Sequence, residues 1–365
     1  MDTKARKYGY AVYIGRFEPF HNGHAAVIRQ AAEQADRIII LIGSAHEPRT
    51  TKNPWNVSER AAMIRAATDD LPNPITILPL RDTLYNEDEW VSSVQGLVSE
   101  VISGNGDDGA KVSIVGMDKD ASSYYLKSFP QWDFLPAQET DVLSATDLRN
   151  YLFEADQTDC HGALLMIRAN VPAPVYGMLE AFRKSSPDYP RLVDEHRFLA
   201  GYRRQWDSAP YSPTFLTADA VVVHSGHVLL VQRGANPGKG LWALPGGFVG
   251  QNETILDAAI RELYEETSIK LPERLLRASN PESHVFDHPG RSLRGRTVTH
   301  AFCFRFPSGP LPKVKGGDDA SKARWVPLSQ VMGNSGTMFE DHWHIVRHFC
   351  PAPLPANPNR GLPPL

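Results

Sequence analysis

Between residues 10 and 137 the chain repeats one pattern, a short apolar run followed by a helix-like segment. The runs are YAVYIG (10–15), RIIILIG (37–43), ITILPL (75–80), KVSIVGM (111–117) and WDFLPA (132–137). Several are separated by helical patterns: HAAVIRQAAEQA (24–35), SERAAMIRAA (58–67) and EWVSSVQGLVSEVI (89–102). Short β-branched runs spaced by helices predict βαβ units and a parallel sheet covered on both faces. The expected class of this half is α/β. Ligands of such sheets bind beyond the carboxyl ends of the strands.

The stretch GRFEPFHNGH (15–24) stands at the first such end. Gly15 and Gly23 permit tight turns and close approach of a ligand. Pro19 delays the helix until the turn is made. A helix beginning near Gly23–His24 aims its free N–H groups back at the strand end, which makes an anion site. His21 and His24, one turn apart, can both donate to phosphate oxygens there. The plainer reading of two histidines in this place is capping or core packing. Downstream, Ser144 and Asp147 in SATDLR (144–149) have capping-box spacing, so a helix is expected to start at Ser144.

Together these segments resemble the nucleotidyltransferase superfamily, through its HxGH signature and its ISxTxxR motif, with Leu143 in place of the Ile. GRFxPFHxGH is similar to the archaeal-like nicotinamide mononucleotide (NMN) adenylyltransferases, as are NPWNVSER (53–60) and GMDKDASSYYLKSFPQWD (116–133). The resemblance covers roughly residues 8–180 and implies a Rossmann-like sheet. It implies that ATP and NMN are the substrates and that the NMN phosphate itself attacks the α-phosphorus. No protein nucleophile is then needed, and catalysis is positioning plus charge stabilisation. By the same resemblance Arg16, His21 and His24 hold the reacting phosphates, and Gly15, Phe17 and Gly23 belong to the ATP/NMN-binding site. Ser144, Thr146 and Arg149 hold the leaving pyrophosphate. Asn86 and Trp90 stack on or hydrogen-bond the nicotinamide ring, although Trp90 fits plain core packing equally well. A Mg²⁺ ion is expected to bridge phosphates, holding mostly water.

The second half follows a different pattern. Residues 184–208 mix prolines, charges and aromatics, and read as a linker containing one short helix. AVVVHSGHVLLVQRG (220–234) is a hairpin turning at Ser225–Gly226. HAFCFRF (300–306) and ARWVPL (323–328) are further strands, and TILDAAIRELYEET (254–267) is a helix. This is an α+β domain. GANPGKG (234–240) is one residue short of a P-loop and ends GKG, so it reads as a hairpin loop. The expected division is 1–183, linker 184–208, second domain 209–350 and a proline-rich tail 351–365. The PxxP at 355–358 lies in that tail, which reads as unstructured.

Within the helix, Leu256, Ala259, Ile260 and Leu263 form one apolar stripe, and Glu262, Glu265 and Glu266 fall on another face. Three clustered carboxylates repel unless cations collect them, and hard oxygen ligands suit Mg²⁺ or Mn²⁺. Such metals bind and polarise a pyrophosphate. Gly247, Glu253, Arg261, Glu262, Glu265 and Glu266 match the Nudix box, Gx5Ex7REUxEExGU, with Ser268 in place of its last glycine. That substitution puts the loop shape in question and removes no proposed ligand.

FDHPGRSLRGRTVTHAF (286–302) and GGDDASKARWVPL (316–328) resemble Nudix domains that hydrolyse ADP-ribose, especially those fused to NMN adenylyltransferases. This resemblance covers roughly 210–345. It implies AMP and ribose 5-phosphate as products. Arg291, Arg294, Arg296 and Gly247 are then the substrate contacts. Asp318, Asp319 and Glu340 remain open as the general base beside the box glutamates. Two other readings stay open: a ligand-sensing second domain, and another acceptor or nucleotide for either half.

Length bounds the rest. The 365 residues suggest about two domains, and 42% apolar content suffices for real cores. The net charge of −4, with both signs interspersed, gives no basic stripe for nucleic acid or acidic membranes. No apolar stretch approaches the ~20 residues of a membrane span, and MDTKARKYGY lacks a signal-peptide core. Cys160, Cys303 and Cys350 are scattered, which fits a reducing cytoplasm. Homo-oligomerisation is left open.

Overall fold

The computed structural model describes residues 6–117, 125–138, 143–155 and 160–351. The PxxP tail, the side chain of Cys160 and much of 116–133 therefore lie outside the described residues. The chain divides into two compact units, residues 1–193 and 194–365.

The first unit begins with β1 (Tyr8–Gly15), α1 (Asn22–Gln34), β2 (Ala35–Ile42), α2 (Val57–Ala67) and β3 (Ile75–Pro79). It continues with α3 (Glu87–Gly104), β4 (Val112–Gly116), β5 (Asp133–Pro136), α4 (Ala145–Glu154), α5 (Cys160–Asn170) and α6 (Ala173–Ser185). All five expected apolar runs are strands. They form one sheet in the order β3-β2-β1-β4-β5, parallel throughout. Alternate residues of each strand face opposite layers. Ala11 and Tyr13 enter the core shared with α1 and α2, while Tyr10, Val12 and Ile14 enter the core shared with α3. Burial on both faces is why these strands read as unbroken apolar runs. The order reverses between β1 and β4, and a crevice at such a point is where ligands of this architecture bind.

The segment expected as a linker is mostly helical. Helix α7 (Asp188–Arg204) runs 17 residues, far longer than the short helix predicted, and the division between units falls within it. Pro190 sits in its first turn, where a proline lacks no needed hydrogen bond, so the punctuation misled.

The second unit holds β6 (Thr214–His224), β7 (His227–Arg233), β8 (Trp242–Ala243), β9 (Gly246–Phe248), α8 (Ile255–Thr267) and α9 (Glu273–Ala278). It ends with β10 (Glu282–Phe286), β11 (Arg296–Phe306), β12 (Ala320–Pro327), α10 (Leu328–Gly333) and α11 (His342–Phe349). Its sheet is mixed: β11 pairs β6 in parallel, and β10, β7, β12, β8 and β9 pair antiparallel. The β6–β7 hairpin turns at Ser225 (φ 49°) and Gly226 (φ 72°), as its sequence predicts. GANPGKG connects the antiparallel strands β7 and β8. The predicted stripe of α8 packs on Ala218, Ala220 and Val222 of β6 and on Phe302 and Phe304 of β11. Ser268 caps α8 in the left-handed conformation that glycine would favour (φ 50°, ψ 26°). The loop geometry thus survives the serine. Among the described residues no helix is long and apolar enough to cross a membrane.

Candidate active sites

In the first unit, β1 ends at Gly15, where an added Cβ would lie 2.9 Å from the Phe17 ring. Phe17 itself holds a positive φ of 56°. The chain turns back, and His21 becomes the N-cap of α1. His21 Nδ1 accepts from the Gly23 N–H (3.1 Å), and His24 Nδ1 accepts from the His21 N–H (3.3 Å). Both histidines therefore do cap the helix. Capping does not compete with phosphate binding: with Nδ1 accepting, each neutral ring carries its proton on Nε2, as a donor. The rings stack with centroids 3.7 Å apart. His24 is wedged among Tyr13, Phe17 and Phe20. Burial, helped by the neighbouring His21, holds its pKa well below the usual histidine range.

Arg149 is 5% exposed and donates to the Glu18 carbonyl and to Thr146 Oγ1 (3.0 Å). The structure thus joins the two sequence motifs at one place. Burial and the charge of Arg16 lower its pKa to about 10. Arg16 Nη1 is buried without a hydrogen-bond partner. Burial and Arg16 also pull the Lys52 ammonium down. These cations crowd one another, which is the signature of a site built for an anion. Ser144 is committed differently: its Oγ accepts the Asp147 N–H (3.2 Å) and donates to Asp147 Oδ2 (2.6 Å), closing the predicted capping box. Asn86 likewise caps α3, accepting the Glu89 N–H at 3.1 Å. Trp90 packs against Tyr125 and Phe129 beside the α3 core.

Glu18 and Arg60 were not singled out from the sequence. They form an ion pair at 3.2 Å, each side chain 1% exposed. Arg60 also donates to the carbonyls of Arg16, Gly43 and Ser44, tying the ends of β1 and β2 together. Burial pushes the Glu18 carboxyl up to about 8 against the pull of Arg60 and Arg149. Nothing local marks either residue, because a buried pair from segments 42 positions apart has no short motif.

In the second unit, α8 starts at the Thr254–Asp257 capping box and presents its glutamates toward β9. Glu266 is 8% exposed, and its Oε2 accepts the Gly246 N–H at 3.1 Å. A Cβ on Gly247 would stand 2.4 Å from Glu262 Oε1, so a larger residue there would displace the Glu262 carboxylate. Arg261 donates to Glu253, Glu262 and Glu265, each at 2.8 Å. Burial, with the charge of Glu262, pushes Glu266 up to about 8, and burial raises Glu262 as well. Burial disfavours the ionised form of these carboxylates, and a donor set of this kind fits a hard divalent cation. Among the described residues no three His, Cys, Asp or Glu side chains converge as around a bound ion. The reason lies in the bonding above: Arg261 draws Glu262 and Glu265 while Glu266 turns to Gly246.

A cavity of about 50 Å³ lies against Glu266, lined also by Gly247, Arg291, Arg294, Asp319 and Glu340. Two of the three open base candidates therefore reach it. Asp318 is not among its lining residues. Arg291 is held by Asp341 through two bonds of 2.8 and 2.7 Å, with both side chains buried. Two of its five N–H donors are committed to that partner, and the residue still lines the cavity. Arg296 points elsewhere, to the Asp287 carbonyl. Asp219 and Arg233 also line the cavity and were not anticipated, since they read as ordinary strand residues of β6 and β7.

Comparison with known proteins follows this division. The cytidylyltransferase-like family model matches residues 12–151, and the NUDIX domain model matches 213–349. A nicotinamide/nicotinic acid mononucleotide adenylyltransferase of Acinetobacter baylyi is 38% identical over 194 residues, 52% of this chain and 95% of that protein. A nicotinamide-nucleotide adenylyltransferase of Methanospirillum hungatei is 44% identical over 98 residues, 26% of this chain and 56% of its own length. The crystal structure of a bifunctional NMN adenylyltransferase/ADP ribose pyrophosphatase from Francisella tularensis, complexed with AMP and a Mn ion, superposes with a TM-score of 0.84. It is 35% identical and covers 94% of this chain and 98% of its own. The chain accordingly belongs to the family of bifunctional NMN adenylyltransferase/ADP ribose pyrophosphatases.

Proposed function

We propose that the first unit transfers AMP from ATP to nicotinamide mononucleotide, giving NAD and pyrophosphate. The second hydrolyses ADP-ribose to AMP and ribose 5-phosphate. The observation that carries this reading is the pairing of opposite sites in one chain. Arg16, Lys52 and Arg149 crowd together beside the two capping histidines, and the glutamates Glu262, Glu265 and Glu266 cluster on α8 with Glu262 and Glu266 raised by burial.

In the first reaction a phosphate oxygen of NMN bonds to the α-phosphorus of ATP, and the bond to the β-phosphate oxygen breaks. His21 and His24 donate Nε2–H to the transferring group, together with the free N–H groups of α1. Arg16 lies beside the same group, and Arg149 with Thr146 faces the leaving pyrophosphate. Because His24 stays neutral, it donates a hydrogen bond without adding charge or surrendering a proton. Gly15, Phe17 and Gly23 shape the turn, while Ser144 and Asn86 serve through their caps. Trp90 borders the nicotinamide site.

In the second reaction water adds to a phosphorus of the diphosphate and the bridging oxygen leaves. Glu262, Glu265 and Glu266 would hold a divalent ion, Mg²⁺ or Mn²⁺, which when bound supplies positive charge to the diphosphate. Arg294 faces the substrate, and Asp319 or Glu340 takes the proton of the attacking water. The catalytic domains span 1–183 and 209–350. The free Cys303 and Cys350 accord with a cytoplasmic location.

The test is product chromatography of the purified chain with ATP and either nicotinamide or nicotinate mononucleotide, and separately with ADP-ribose, in Mg²⁺ and in Mn²⁺. NAD from the first and AMP from the second support the reading. ADP-ribose bound but unhydrolysed in both metals would make the second unit a sensor. No dinucleotide from either acceptor would remove the first assignment.

A further inference from the structure

Helix α11 opens with two buried polar residues, Asp341 at its N-cap and His342 as its first helical residue. Asp341 holds Arg291. His342 reaches a different partner: its Nδ1 accepts the Leu244 N–H at 2.9 Å, a buried bond between residues 98 positions apart. With Nδ1 accepting, the neutral ring carries its proton on Nε2. Burial keeps the ring neutral, holding its pKa below the ordinary histidine value. Leu244 opens the turn LPGG (244–247) between β8 and β9. The backbone of that turn is pinned residue by residue. The Pro245 carbonyl accepts the Ala220 N–H at 2.8 Å, and the Gly246 N–H donates to Glu266 Oε2 at 3.1 Å. Just before the turn, the Trp242 carbonyl accepts the Phe339 N–H at 2.7 Å. Gly246 lies so close to β6 that an added Cβ would stand 2.5 Å from the Ala218 carbonyl oxygen. A backbone this tightly packed has little room to absorb a shift at Leu244. His342, Leu244, Gly246 and Glu266 all line the same cavity.

We propose that His342 is a positioning residue of the hydrolase: by holding the Leu244 N–H it fixes the turn from which the Gly246 N–H orients the Glu266 carboxylate. This rests on the reading of Glu262, Glu265 and Glu266 as the holders of a divalent ion. A backbone N–H on one carboxylate oxygen sets the direction of the other, and such outer partners tune how a ligand meets its metal. The chemistry of the cavity explains why the acceptor is an imidazole. Asp219, Glu266, Asp319 and Glu340 already line it, so a further carboxylate would add like charge beside Glu266. A neutral imidazole accepts the buried N–H without adding charge. Two adjacent residues of α11 thereby place an arginine and a carboxylate of one cavity, Asp341 through Arg291 and His342 through the turn.

The test uses the full chain. His342→Phe keeps a ring and removes the acceptor, whereas His342→Asn keeps an acceptor near the Nδ1 position. Mn²⁺ binding without substrate is followed by the paramagnetic resonance of the free ion. Affinity should weaken on the order of 10–100-fold in His342→Phe, and His342→Asn should recover most of it. The kcat for ADP-ribose should fall in His342→Phe at limiting Mn²⁺ and climb back as Mn²⁺ is raised. Unchanged Mn²⁺ affinity in His342→Phe overturns the proposal even if its melting temperature drops, because His342 would then serve the fold alone. Equal losses in the two variants also overturn it, since the acceptor would not be what matters. If His342→Phe does not fold, nitrogen NMR of the wild-type imidazole decides. A proton on Nε2, with the Leu244 amide protected from exchange, supports the proposal, and a proton on Nδ1 overturns it. Wild type that binds no Mn²⁺ would sink the reading of the three glutamates and this proposal with it. Wild type and His342→Phe that bind it equally sink the proposal alone.

Discussion

Both units handle a phosphoanhydride, yet their sites are charged in opposite ways. At the end of β1 the chain supplies the positive charge itself, from Arg16, Lys52 and Arg149 and from the start of α1. At α8 it supplies negative charge, and Glu266 sits where burial resists ionisation. The first site gathers cations around an anion, whereas the second gathers carboxylates that call for a cation before a phosphate can approach. The difference follows from the chemistry. Adenylyl transfer brings its own nucleophile, the NMN phosphate, so the protein has only to place and neutralise anions. Hydrolysis must make a nucleophile of water, which calls for a Lewis acid and a base. The two units also share a device. Each anchors its site with a buried arginine–carboxylate pair, Glu18–Arg60 in one and Arg291–Asp341 in the other.

The contrast is broken most directly by crossed substitutions. His24→Ala should lower adenylyl transfer by roughly 10²–10⁴-fold and leave ADP-ribose hydrolysis intact. Glu266→Gln should do the converse. Steady-state rates of both reactions on both variants check this, and a variant that impairs both reactions equally would erase the distinction.

The shared anchors come next. Arg60→Met and Arg291→Met each strand a buried carboxylate and should destabilise their unit by about 3–5 kcal/mol. Thermal unfolding measures the loss. If Arg291→Met raised only the KM for ADP-ribose and left the melting temperature alone, Arg291 would be a substrate contact and the parallel with Arg60 would fail.

A smaller effect sharpens the charge difference. The ordinary value for Glu266 is 4.5, and its folded value is about 8. Between those values the folded chain keeps a proton that the unfolded chain has lost. Stability from this group therefore falls as pH rises through the window and is constant below it. Melting temperatures from about pH 5 to about pH 8 in a chelator should show this decline, and Glu266→Gln should make it shallower, leaving the share of Glu18, which burial also raises to about 8. Added Mn²⁺, which selects the ionised form, should reverse it. A slope unaffected by either change would mean that Glu266 is ionised throughout.

The smallest effect concerns Ser268. Its φ of 50° is left-handed, so Ser268→Gly should stabilise the second unit by about 1 kcal/mol, a rise of a few degrees in melting temperature. A fall would show that the serine side chain contributes more than its backbone costs.

Much of this was legible in the chain. The five apolar runs of the first half announced five parallel strands, because burial on both faces leaves no polar alternation to confuse the reading. The Ser144 and Ser225–Gly226 signals were local, each depending on residues within one turn. Less legible was what a side chain does once it arrives. Ser144 and Asn86 looked like ligand contacts and are helix caps. Arg291 looked like a phosphate clamp; it lines the cavity and is also held by Asp341, a residue 50 positions away. Residues 184–208 looked like a linker because their composition is irregular, and packing made most of them α7.

The sequence by itself determined which elements form and which residue types gather at their ends, since strand period, capping and motif spacing act over a few residues. Only the tertiary structure decided which cations crowd Arg149, that Glu18 pairs with Arg60, and that Asp341 holds Arg291. Those outcomes depend on burial and on charges brought together from distant positions, where desolvation and Coulomb forces are strong and the local sequence carries no record of them.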